Sequence, residues 1–151
     1  MSEVIKVTAK QQNKQTVSPK IGDVYVVRFD GCGSEQSGLR PGVVFQNNVG
    51  NAHSPNLIVL PMTSSLKKLS MPTHVLVKAS DTELLRDSVV ICENPQCISK
   101  DRLGRYITRL PAEYMQQIAA ANLLATSAIS YLELKDLVSL WEKSVRMNSV
   151  A

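Results

Sequence analysis

The chain has 151 residues, 44% of them apolar and 20% charged, and carries a formal net charge of +4. That length suffices for one domain with a core of its own, and no run approaches the ~20 apolar residues that cross a bilayer. The first twenty residues, MSEVIKVTAKQQNKQTVSPK, lack an apolar run of signal-peptide type, so the expected location is the cytosol, with no membrane contact. Charge is unevenly placed: residues 1–110 hold 14 Lys and Arg against 9 Asp and Glu, and residues 111–151 hold 3 against 4. The positive excess lies in the front part, where a polyanion would be held.

Three cysteines, Cys32, Cys92 and Cys97, form no CxxC pair and have no histidine beside them. This argues against a disulfide framework or a zinc site. Cys92 reads as a small buried apolar residue. His53 and His74 show no metal-ligand spacing, and no cofactor or metal is expected.

Residues 1–20, rich in Gln, Lys, Ser and Thr, read as a flexible arm. Gly22–Phe29, GDVYVVRF, is β-branched and aromatic and predicts a strand. Asp30–Arg40 has three glycines and two serines and predicts a loop. Pro41 then opens a second strand, GVVFQ. Asn47–Pro55 is turn material, and Asn56–Met62, NLIVLPM, predicts a buried strand. Thr63–Met71 reads as a basic loop or a short helical turn. In Thr73–Lys78, Val75 and Val77 alternate with His74, Leu76 and Lys78, the period of a half-buried strand. Ser88–Glu93 is a further apolar strand. Five short strands with glycine-rich connections predict a small, strongly bent sheet or barrel.

The character changes at Pro111, which suits the first position of a helix. PAEYMQQIAAANLLATSAI is rich in helix formers. Ser130 and Glu133 have capping-box spacing, with Ile129 and Leu134 placed as a staple. Leu134, Leu137, Val138, Trp141 and Val145 then share one helical face. That stripe is expected to pack on the barrel, on the preceding helix or on a dimer partner, and Trp141 has the largest area to bury. The organisation read from the sequence is an arm (1–20), a β-barrel domain (21–110) and a helical segment (111–151).

GDVYVVRF, GSEQSGLRPGVVFQNNVGN, SPNLIVLPMTSSLKK, LSMPTHVLV and DSVVICE with SKDRLG follow one another in an order that resembles the MazF/PemK toxins over residues 21–110. The resemblance implies a mainly β (α+β) fold, a Src-homology-3-like MazF/PemK β-barrel with C-terminal helices. It implies a toxin of a type II toxin–antitoxin pair, a homodimer that cleaves single-stranded RNA without a metal and is inhibited by a cognate antitoxin protein. Internal cleavage by the neighbouring 2′-hydroxyl would leave a 2′,3′-cyclic phosphate and a 5′-hydroxyl, and would spare DNA.

Within that resemblance Arg40 matches the active-site arginine, and its planar fork of donors suits phosphate oxygens. Since arginine stays protonated, its role is transition-state stabilisation, with donation to the leaving oxygen as a second one. Thr63 matches the active-site threonine, and its hydroxyl can donate to a phosphoryl oxygen. Ser64 and Ser65 follow it. Ser34, Glu35 and Gln36 match the loop before Arg40, and Glu35 is a conceivable proton acceptor. Asn94 can offer amide hydrogen bonds to a base, while Gln96 stands where many relatives carry a basic residue, which bears on the cleaved sequence. Lys67, Lys68, Lys100, Arg102, Arg105 and Arg109 are candidate phosphate contacts. The alternatives are a non-enzymatic toxin resembling the gyrase-poisoning CcdB proteins and a nucleic-acid-binding barrel without activity.

Overall fold

Gly22 determines where the first strand starts. Its φ of +90° lies in the left-handed region that glycine tolerates. In that conformation its N–H donates to the Val44 carbonyl at 2.8 Å and its carbonyl accepts from the Leu110 N–H at 3.0 Å. The computed structural model describes residues 18–31, 38–67 and 69–150. The expected arm over 1–20 therefore falls almost wholly outside the described residues.

The elements run β1 (Asp23–Phe29), β2 (Gly38–Val44), α1 (Asn48–His53), β3 (Asn56–Thr63), β4 (His74–Val77), β5 (Ser88–Ile91), β6 (Gln96–Ser99), β7 (Leu103–Arg109), α2 (Ala112–Thr126) and α3 (Leu134–Val150). Short 3-10 turns cover Ala79–Asp81, Lys100–Arg102 and Ala128–Tyr131. The sheet order is β4-β5-β3-β2-β1-β7, with β6 on β3, and every pairing is antiparallel. Along one edge of β3, Asn56–Val59 pairs with β6 and Met62–Thr63 with β5; along the other, Val59–Pro61 pairs with β2. One strand thus belongs to two differently directed sheets, and the whole curls around it. Among the described residues β4 and β7 do not pair, so the expected barrel is an open, curled sheet rather than a closed ring.

Two apolar clusters fill the curl. Val24, Val43, Leu60, Met62, Val75, Val77 and Val90 pack with Ile118 and Ala121 of α2. Val27, Phe29, Val44, Leu57, Val59 and Ile98 form the other. Gly42 lets β2 lie close over the second cluster: a Cβ there would sit 3.0 Å from Val27 Cγ2 and 3.1 Å from Phe29 Cζ. Val75 and Val77 are buried with His74 and Leu76 half-buried, as the alternation requires. All four residues of β5 are buried, which accounts for its unbroken apolar run.

Among the described residues seven strands are present where five are expected. β6, QCIS, has one buried residue, and β7, LGRYITR, has one as well. Edge strands of this kind carry little apolar signal, and irregularities in register against β1 break the period further. The expected turn at Asn47–Pro55 contains α1, started by Asn47, whose side chain accepts from the Gly50 N–H at 2.9 Å. The second strand begins at Gly38 instead of Pro41, so Arg40 lies inside β2 opposite Val27 and is half-buried rather than on an exposed loop.

At the C-terminal end α2 begins at Ala112, directly after Pro111. The Asn122 Nδ2 donates to the Cys92 carbonyl at 3.1 Å, and the Tyr114 hydroxyl donates to Asp81. The capping box at Ser130 is not formed. The Ser130 hydroxyl donates to the Ser127 carbonyl at 2.7 Å within a 3-10 turn. Asp136 takes over the cap by accepting from the Glu133 N–H at 2.9 Å. The expected burial of the α3 stripe on this chain holds only in part: Leu137 is half-buried and the helix touches α1, but Leu134 is 77% exposed and Trp141 69%, and Val138 and Val145 are about half exposed.

Cys92 sits at 0% exposure, and burial, with Glu93 adding to it, pushes its thiol up to about 12. A folded-state value raised this way gives stability that is whole below the ordinary thiol range near pH 8.5 and is lost between there and about 12. In a Cys32→Ser, Cys97→Ser chain the remaining thiol should react with iodoacetamide at pH 8 roughly 1000-fold more slowly than in urea. Comparable rates in the two conditions would contradict the burial.

Candidate active site

Gly42 of β2 pairs with Pro61 of β3. Continued by two residues, that register sets Arg40 opposite Thr63, on the same face of the sheet. The two side chains line a cavity of about 560 Å³ together with Ser64, Glu83, Arg86, Ser88 and Arg105. Leu39, Pro41, Met62, Leu84, Leu85 and Ile107 supply apolar wall. Among the described residues, three arginines, three hydroxyl-bearing side chains and one glutamate therefore border one hollow.

Each wall is held by its own local structure. Thr63 ends β3 opposite Val89 of β5, and its Oγ1 accepts from the Ser65 N–H at 3.2 Å, turning the chain out of the sheet. Ser65 thus shapes this turn, although it does not line the cavity. The segment carrying Glu83 and Arg86 is pinned by the buried Leu84, whose N–H donates to Thr82 Oγ1 at 3.2 Å. The Asp87 carboxylate accepts from the Ala79 N–H at 2.8 Å, and the Ser88 hydroxyl donates to the Arg86 carbonyl at 3.0 Å. Arg105 comes from β7, where the register against β1 is irregular. On the very next residue, the Tyr106 ring meets that of Tyr25 edge to face, their centroids 5.5 Å apart.

Residues 20–124 match the family described as PemK-like, MazF-like toxins of type II toxin–antitoxin systems. The chain belongs to this family. It is 39% identical over 113 residues to the endoribonuclease EndoA of Bacillus subtilis, a match covering 74% of this chain and 97% of that protein. A second relative, the endoribonuclease MazF of Staphylococcus saprophyticus, is 39% identical over 98 residues, covering 64% and 82% of the two chains. Among solved structures, a mycobacterial endoribonuclease in complex with its cognate antitoxin superposes with a TM-score of 0.62 and 25% identity, covering 74% of this chain and 97% of that one.

The MazF/PemK pieces of the sequence divide into two sets in three dimensions. Arg40, Thr63 and Ser64 meet at the cavity, and Arg105 joins them. The others hold the fold. The Asn51 side chain is buried and its Nδ2 donates to the Gln46 carbonyl at 2.8 Å. His74 pairs with Glu93 at 2.7 Å across β4 and β5. Asn94 and Lys67 do not line the cavity. Gln96 lies in β6 opposite Val59, with its Nε2 buried and unpartnered. Ser34, Glu35, Gln36 and Lys68 lie outside the described residues.

Several expected phosphate contacts are committed elsewhere. Arg109 Nε donates to the buried Asp23 carboxylate at 2.8 Å, whose other oxygen accepts from the Lys20 N–H at 2.8 Å. Lys100 Nζ donates to the Asn51 carbonyl at 2.5 Å, and Arg102 pairs with Asp30 at 3.0 Å. Conversely, Glu83, Arg86 and Ser88 are cavity residues that sequence reasoning did not single out, since TELLRDS is a charged connection without a motif. Three guanidiniums around one hollow predict an anion site. Inorganic phosphate, followed by chemical-shift titration, should bind about 10-fold more weakly after Arg86→Ala or Arg105→Ala. Arg102→Ala should leave the affinity as it is; equal losses at all three positions would remove the site.

Proposed function

We propose that this chain is the toxin of a type II toxin–antitoxin pair and cleaves single-stranded RNA internally in the cytoplasm, as a homodimer restrained by a cognate antitoxin. The observation that carries this reading is the convergence of Arg40, Thr63 and Ser64 with Arg86 and Arg105 in one open cavity, in a chain whose relatives are endoribonucleases. The mixture of guanidiniums and hydroxyls suits a phosphodiester more than a neutral ligand.

In the proposed mechanism the 2′-oxygen attacks the adjacent phosphorus and the bond to the 5′-oxygen breaks. Arg40 stabilises the extra negative charge of the phosphorane, and Thr63 donates a further hydrogen bond. Glu83, the one carboxylate among the described cavity residues, accepts the 2′-hydroxyl proton. Glu35 is the alternative acceptor from the preceding loop. Arg40 also donates a hydrogen bond to the leaving 5′-oxygen, which takes its proton from solvent while the carboxylate returns the one it accepted. The products are a 2′,3′-cyclic phosphate and a 5′-hydroxyl. The three guanidiniums supply the positive charge the reaction needs, so the proposal requires no metal.

Arg40→Ala should lower cleavage of a long unstructured RNA by ~100-fold or more, by analogy with loss of one oxyanion donor. Arg40 is half-buried in β2, so the melting temperature of the variant must be measured beside its activity. Near-normal cleavage by a folded Arg40→Ala chain would end the assignment.

The same RNA, incubated with EDTA, should yield downstream fragments with 5′-hydroxyl ends, and a 2′-deoxy substitution at the cleaved nucleotide should block the cut. Fragments with 5′-phosphate ends, or activity that appears only with magnesium, would overturn the mechanism while leaving the cavity assignment standing.

A further inference from the structure

Helix α3 lies outside the family match, which ends at residue 124. Its charged residues and apolar stripe are arranged amphipathically; Leu137 is half-buried where the helix touches α1, yet the rest of the stripe lies in solvent. Leu134, Val138, Trp141 and Val145 are each about half exposed or more, on a single face at spacings of four and three. A tryptophan held 69% exposed in such a row marks an interaction surface.

We propose that the α3 stripe is a self-association surface, occupied by α3 of a second copy of this chain running antiparallel to it. The sequence of the helix is self-complementary in that arrangement. A two-fold axis between Ser139 and Leu140 sets Leu134 of each helix against Val145 of the other, and Val138 against Trp141. Both apolar layers are thereby filled twice, as an isologous contact requires. Charge agrees with packing. Lys135 and Glu142 lie seven residues apart, on the same flank of the stripe. Antiparallel pairing brings Lys135 of each copy to within two residues, about 3 Å along the axis, of Glu142 of the other. The flank carries charges of both signs, Lys135 and Arg146 with Glu142 between them, and so can pair with a copy of itself. Lys135 is at present paired with Glu133 at 3.2 Å, both side chains being more than 70% exposed. Such surface pairs contribute little and exchange readily.

The test uses the full chain. Sedimentation equilibrium of the protein and of Trp141→Glu should show the dissociation constant of the assembly raised at least about 10-fold in the variant. Since Trp141 is exposed in the single chain, the variant should melt like the unsubstituted protein when both are dilute enough to be dissociated, and at a lower temperature than it where the unsubstituted protein is assembled. Lys135→Glu and Glu142→Lys should each weaken association, and the double exchange should restore it. In a Cys32→Ser, Cys97→Ser background, a mixture of Leu134→Cys and Val145→Cys chains should form a disulfide-linked pair under mild oxidation. Either chain alone should not, because like positions lie about 16 Å apart along the axis, beyond disulfide reach. Cross-linking of like positions, an assembly indifferent to Trp141→Glu, or a double exchange no better than the single ones would overturn the proposal. Loss of antitoxin binding by Trp141→Glu with self-association intact would overturn it too, by giving the stripe a different occupant.

Discussion

The structure depends on β3 having three neighbours. Asn56–Thr63 must pair with β6 along its first half, with β5 along its last two residues, and with β2 on the opposite edge between them. A strand can meet this demand only if the sheet bends along its length, and the two apolar clusters lie on opposite faces of that strand. Leu57 and Val59 face one of them, Leu60 and Met62 the other. These are the two faces of one pleated strand, and both are covered, so NLIVLPM reads as continuous hydrophobicity rather than alternation. The same bend ends β3 at Thr63, beside Arg40, and opens the cavity there. Fold and site are therefore consequences of one strand.

What could be read from the sequence follows from how each element is buried. β1, β3, β4 and β5 carry strong apolar signals because their residues face a core on at least one side. β6 and β7 do not, since each offers one buried residue, and what keeps them strands is backbone pairing with β3 and β1. The start of β2 was hidden by glycine: Gly38 has a φ of +80° and nothing within 4 Å of where its Cβ would be, so its composition is that of a loop although it pairs with Phe29. The capping of α3 was legible in kind and wrong in residue. Ser130 had the spacing, but Asp136 stands three residues after Glu133 and reaches that N–H instead.

The site was legible only where a resemblance supplied it. Arg40 and Thr63 are 23 residues apart in sequence, and only the register of β2 against β3 makes them neighbours. Glu83 and Arg86 had no such help. They reach the cavity because Leu84 between them is buried and because the Asp87 carboxylate ties the segment back to Ala79. Neither constraint has a sequence signature beyond an apolar residue among charges. The pairing of Arg109 with Asp23 is equally silent, since the two lie 86 residues apart.

These pairings change how the charge of the molecule is to be understood. Counting along the chain places a positive excess in residues 1–110, but Lys100, Arg102 and Arg109 spend their donors on Asn51, Asp30 and Asp23. An arginine that neutralises a buried aspartate adds nothing net to the field felt by an approaching phosphate, because the pair sums to zero at distances beyond its own length. Arg40, Arg86 and Arg105 share a cavity with a single described carboxylate, Glu83. Among the described lining residues, arginines outnumber carboxylates three to one. In the proposed function it is these cavity arginines, placed by the curl around β3, rather than the paired Arg102 and Arg109, that meet an RNA phosphate.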